Sequence, residues 1–153
     1  MRLAEALILR ADCQKRLDQL KTRLTRSAKV QEGEQPPEQP MELLEEVERT
    51  AAELESLIRR INRTNAETAF EGGGTLTDAL AARDVVGLRR TIYADLAAAA
   101  TVTQDRYSKS EVKFKSTVSV AEMQKRADTL ARTFRELDAR IQEANWRTEL
   151  WEG

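Results

Sequence analysis

One amphipathic run decides most of what this chain can become. Counting in threes and fours from Val120 passes through Met123, Ala127, Leu130, Phe134, Leu137, Ile141 and Ala144, with charged residues on the remaining faces. That period predicts a helix over 120–146. Ser119 and Glu122 stand three apart at its start, the spacing of a capping box, in which hydroxyl and carboxylate each satisfy a backbone N–H that the first turn leaves unpaired. At about 1.5 Å per residue this helix is on the order of 40 Å long, so its stripe needs partners of similar length.

Those partners lie earlier in the chain. A helix over 3–27 carries Leu3, Ala6, Arg10, Cys13, Leu17, Leu20 and Leu24 at heptad spacing. Arg10 is the one charged residue on that stripe: either its stem packs while the guanidinium reaches the rim or a carboxylate, or it helps to form a polar site. Residues 28–40 hold all three prolines (Pro36, Pro37, Pro40) and read as a loop, because proline donates no backbone hydrogen bond and restricts the residue before it. A second helix over 41–62 carries Leu44, Val47, Ala51, Leu54, Ile58 and Ile61. The two helices are expected to form an antiparallel hairpin, since residues 10–29 carry a net charge of +5 and residues 32–57 one of −8. Individually such pairs are worth only about 0.5 kcal/mol, so the asymmetry sets register more than stability.

A Gly-rich loop follows over 63–74. Gly72-Gly73-Gly74 has no Gly-Lys-Ser or Gly-Lys-Thr after it, so it reads as a turn and not as a phosphate loop. Thr75 and Asp78 resemble another cap, and a third helix over 76–101 is expected to use Leu76, Leu80, Leu88, Ile92, Leu96 and Ala99 as its stripe. Gly87 inside it implies close helix approach or a bend. Residues 105–118 change pattern: Val112, Phe114, Ser116 and Val118 alternate with Lys113, Lys115 and Thr117, the period of an extended segment. Phe114 is then expected against the helices and Lys113 toward solvent or a second subunit. The fold class predicted is mainly α: an antiparallel bundle of four long helices in one domain, 1–153, with a short extended or β segment before the last helix. Trp146 and Trp151 near the end predict a tail that docks.

Composition narrows the function. There is no histidine, which weighs against histidine acid–base chemistry and excludes Ser/His/Asp and Cys/His sets. No metal or cofactor is expected. Cys13 is the one cysteine, so no intrachain disulfide is possible, and a reducing cytoplasm fits. The net charge of −1 argues against a surface that coats nucleic acid as a whole. No apolar run is long enough for a signal-peptide core or a membrane span.

The polar stretches between stripes supply the candidate binding residues: Arg10, Asn62, Arg63, Asn65, Arg106, Tyr107, Glu111 and Lys113. Carboxylates on a charged helical face are ordinarily just solvated, so no catalytic pair is assigned. The first functional reading is a non-enzymatic helical protein, a homo-oligomer or the binder of a protein partner, acting through protein contacts. The alternative is a nucleic-acid module in which the basic segment 106–115 contacts phosphates and Tyr107 and Phe114 stack on bases.

Several segments carry a family likeness. Ile61-Asn62-Arg63-Thr64-Asn65, Asp105-Arg106-Tyr107-Ser108-Lys109-Ser110-Glu111-Val112-Lys113-Phe114, Glu143-Ala144-Asn145-Trp146 and Ala28-Lys29-Val30-Gln31-Glu32-Gly33-Glu34 resemble signature segments of a small bacterial family labelled septicolysin-like. The resemblance spans nearly the whole chain and implies a compact helical bacterial protein; the family has no established activity, so no catalytic role carries over to any residue. Its label evokes a secreted cytolysin. Against that, the sequence shows no signal peptide, no large β-rich body and no tryptophan-rich membrane loop, so membrane lysis ranks last among the readings.

Overall fold

A computed structural model describes residues 1–102 and 112–153. Its helices are α1 (Leu3–Ser27), α2 (Pro40–Glu67), α3 (Leu76–Ala100) and α4 (Val120–Arg147). The fold is mainly α, with helices packed side by side in antiparallel pairs. The starts are where capping chemistry puts them. Thr75 N donates to Asp78 Oδ2 at 2.8 Å while Asp78 N donates back to Thr75 Oγ1 at 3.3 Å, and Glu122 N donates to Ser119 Oγ at 3.2 Å. Pro40 opens α2, where its missing N–H and fixed φ cost nothing. At its other end α2 runs to Glu67, so Arg63 and Asn65, expected in the loop, lie with Asn62 in its last turns.

Two compact units divide the chain: Met1–Ala69 with Glu143–Gly153, and Phe70–Gln142. In the first, α1 and α2 form the expected hairpin. Buried positions recur every seven residues on both helices, Ala6, Cys13, Leu20 and Ser27 on α1 and Leu43, Thr50, Leu57 and Thr64 on α2. A strict seven-residue repeat is the signature of a left-handed coiled-coil seam. On α2 this line lies one residue before part of the expected stripe, and Leu44 is left 41% exposed. Across the loop end of the hairpin, Arg23 Nε donates to Glu38 Oε2 at 2.9 Å, and a second guanidinium nitrogen binds the other carboxylate oxygen. That hydrogen bonding holds the Glu38 carboxyl below its ordinary range. The pair therefore contributes at neutral pH and is lost as pH falls below the usual carboxylate range and through the lowered value.

The tail docks, through its backbone and Leu150. Leu150 N donates to Met1 O at 2.8 Å, Leu3 N to Thr148 O at 2.9 Å and Arg2 Nη1 to Arg147 O at 3.0 Å, and Leu150 is buried. Both tryptophan rings remain substantially exposed.

In the second unit α3 and α4 run antiparallel. Arg83 Nη1 meets Asp138 Oδ1 at 3.0 Å near one end, and Arg126 lies over Tyr93 nearer the other. Gly87 is the point of close approach: a Cβ built there would stand 3.1 Å from Phe134 Cε2. The glycine run is a closed turn. Gly72, Gly73 and Gly74 all have positive φ, Phe70 N donates to Gly74 O at 2.9 Å, and Arg140 caps the turn by lying 4.9 Å above the Phe70 ring and donating to Glu71 O.

Two expectations hold only in part in this unit. The residues of α3 turned away from water are Leu76, Ala79 and Ala97, with Leu80, Arg83, Val86, Gly87, Tyr93, Ala94 and Ala100 half-buried. Of the expected stripe, Leu76 and Leu80 therefore turn inward, whereas Leu88, Ile92 and Leu96 are 61%, 58% and 39% exposed. The seam passes through Gly87, where the missing side chain lets Phe134 come close. The alternating burial expected over 112–118 holds only in its second half: Ser116 and Val118 are half-buried between exposed Lys115 and Thr117, whereas Phe114 is 80% exposed, Val112 and Lys113 are exposed with it, and residues 105–111 of the expected segment lie outside the described residues. This stretch leads into α4 without forming a strand.

Gly87→Leu forces a side chain against Phe134 and is expected to cost about 1–3 kcal/mol in a thermal melt. Phe114→Ala is expected to change stability by no more than about 0.5 kcal/mol, since almost no surface is buried there; a larger loss in the same melt would restore the packed-strand reading.

Candidate functional site

Of the expected binding residues, Arg10, Asn62, Arg63 and Asn65 belong to the first unit and Lys113 to the second. Arg10 is half-buried on the α1 stripe with no ion pair among the described residues, and Asn62 is exposed. Arg63 pairs with Glu67 one turn on, and its guanidinium lies 5.2 Å from the centre of the Trp151 ring. Asn65 is half-buried and Lys113 exposed. Arg106, Tyr107 and Glu111 lie outside the described residues. Cys13 is buried, and burial followed by the Glu53 charge raises its thiol pKa, the reverse of what a nucleophilic or metal-binding thiolate requires. No group of three or more His, Cys, Asp or Glu among the described residues could hold a metal ion.

At the end of α2 the structure builds a clasp. Thr64 Oγ1 accepts from Trp151 N at 2.9 Å while donating to Arg60 O at 2.8 Å, which lets a buried hydroxyl use both its capacities. Arg60 Nε donates to Trp151 O at 3.1 Å, and its Nη2 meets Glu152 Oε2 at 3.0 Å. With Arg63 beside the tryptophan ring, these contacts make Arg60, Arg63 and Thr64 the seat of the tail.

Two other surfaces were missed. The first is the outer face of α3, where Val85, Leu88, Ile92 and Leu96 recur at helical spacing, Val85 being 54% exposed. The second is a groove along the α3·α4 seam lined by Arg89, Tyr93, Glu122, Lys125, Arg126 and Thr129. Its sequence signal was two pairs at i,i+4 spacing, Arg89 with Tyr93 and Glu122 with Arg126, each unremarkable until the antiparallel pairing sets them side by side. Arg126 Nε meets Glu122 Oε1 at 3.3 Å, and the guanidinium carbon lies 5.8 Å from the Tyr93 ring centre.

A helical protein with a clasped tail, an exposed aliphatic helix face and a basic groove is the class these features define. The chain belongs to a family of unknown function (DUF6847), whose model matches residues 10–150. It is also 49% identical to a protein of Corynebacterium diphtheriae whose crystal structure is described as that of a functionally unknown conserved protein; the likeness covers 99% of both chains, with a TM-score of 0.93. No curated protein matches. These findings overturn the septicolysin-like assignment, because the family matched over nearly the whole chain is a different one and has no known function. Among the described residues no helix is long and apolar enough to cross a membrane.

Thr64→Val removes the acceptor for Trp151 N–H and is expected to cost about 1–2 kcal/mol and to speed amide exchange at Trp151. Thr64→Ser keeps the hydroxyl and is expected to keep slow exchange; equal exchange in both variants would show that the clasp does not hold the tail.

Proposed function

We propose that this chain is a non-enzymatic protein that acts through protein contacts and associates with itself through the outer face of α3. The observation that carries this reading is the row Val85, Leu88, Ile92 and Leu96, four aliphatic side chains in water on one face of a helix whose other face is already used by α4. A helix normally hides such a row. The row also suits a second copy of itself. In a two-fold antiparallel pairing, Val85 meets Leu96 of the second copy and Leu88 meets its Ile92, so each aliphatic residue finds an aliphatic partner under the isologous rule.

Light scattering on the purified chain at about 100 µM is expected to give a mass above the 17.3 kDa of one chain. Leu88→Asp combined with Ile92→Asp is expected to return it to that mass with its helicity unchanged, since neither residue faces the seam. A strict monomer at that concentration, or an assembly indifferent to both substitutions, would remove the α3 interface.

The exposure of Phe114 between exposed Lys113 and Lys115 favours the second reading, contact with single-stranded nucleic acid by the 106–115 segment. That reading requires affinity for single-stranded RNA or DNA that falls steeply with salt, and absence of binding at about 50 mM salt would eliminate it.

A further inference from the structure

The groove between α3 and α4 has a volume of about 410 Å³, within the size range of small-ligand sites. Its lining brings three cations, Arg89, Lys125 and Arg126, to one carboxylate, Glu122, a net charge of +2. Cations on a helical face are ordinarily just solvated. Here they come from two helices and converge on one concavity, so that a bound anion would meet all of them at once. Arg126 is already positioned, between the Glu122 carboxylate and the Tyr93 ring. Arg89 and Lys125 have no ion pair among the described residues, and both are exposed along the groove. Their donors are therefore available to an anion from outside.

Charge and shape narrow the ligand. A phosphomonoester carries about −1.5 to −2 at neutral pH and offers three strong acceptor oxygens, which matches three cationic side chains and a net +2. The Arg126 guanidinium lies 5.8 Å from the Tyr93 ring centre, on one face of the ring. The charge of the groove speaks for the phosphate and does not define what the phosphate is attached to. We propose that the α3·α4 groove binds a phosphomonoester dianion, with Arg89 and Lys125 as its mobile donors and Arg126 as the fixed one. The source is either a soluble phosphate compound or the headgroup of a monoester phospholipid, and the two share this chemistry.

The test is titration of the full chain in three arms: inorganic phosphate, adenosine 5′-monophosphate, and vesicles containing phosphatidic acid, all at about 20 mM salt to limit screening. Binding is expected in at least one arm. It is expected to weaken about fivefold for Arg89→Ala and for Lys125→Ala, the loss of one exposed charge partner. Lys15→Ala removes the same charge from α1 and is expected to leave affinity unchanged. Affinity is also expected to fall as pH drops through about 6, where the phosphomonoester takes up its second proton. Binding to vesicles alone would identify the lipid headgroup, and binding to the soluble compounds a free phosphate. Absence of binding in all three arms at about 10 mM ligand, or an equal loss in Lys15→Ala, would overturn the proposal. Circular dichroism of each variant separates loss of the site from loss of the fold.

Discussion

The seven-residue seam between α1 and α2 sets the geometry of the first unit. Ala6, Cys13, Leu20 and Ser27 meet a line of Leu43, Thr50, Leu57 and Thr64 with the same repeat, so the two helices stay in contact along their length. Because the seam reaches the end of α2, Thr64 is delivered to the spot where its hydroxyl can hold the tail. The half-buried guanidinium of Arg60 then closes on Trp151 and Glu152. Among the described residues one ion pair, Arg23 with Glu38, links α1 to the acidic loop and helix that follow it. The large charge asymmetry of the hairpin therefore acts as a diffuse field, consistent with the small worth of exposed pairs.

What the sequence disclosed depended on how far chemistry and periodicity agreed. For α1 they agree: Leu3, Ala6, Cys13 and Leu20 of the expected stripe are buried and the helix spans the expected residues, while Glu5 adds a cap at its start by accepting from Arg2 N at 2.6 Å. On α2 the buried line includes Thr50 and Thr64, which do not register as apolar, so the eye moves to neighbouring aliphatic residues. On α3 the problem is sharper. That helix carries two candidate faces, one of large aliphatic residues and one of small ones with Arg83 and Tyr93 among them. Size favours the first; the close approach at Gly87 requires the second. A count of hydrophobic residues has no means of knowing that distance matters more than bulk in a two-helix seam.

The same reasoning explains why functional surfaces were harder to read than helices. In the polar run at 62–65 Thr64 has a partner in the tail, as does Arg60 just before it, more than eighty positions away. The basic groove arises from residues that sit unnoticed on separate helices until α3 and α4 are set antiparallel. The family match supplies membership and no activity, so the chemistry of these surfaces is what a functional account has to rest on.

The first unit joins two segments far apart in sequence, Met1–Ala69 and Glu143–Gly153, and this has a bearing on the order in which it can fold. Its hairpin uses contacts close in sequence and is able to form while the rest of the polypeptide is still being made. The strap that finishes it joins Met1 to Leu150 and Leu3 to Thr148. Until residues 148–151 are in place, the start of α1 and the end of α2 lack the partners that the strap supplies. Completion of the unit is thus a late, non-local step that follows formation of its hairpin.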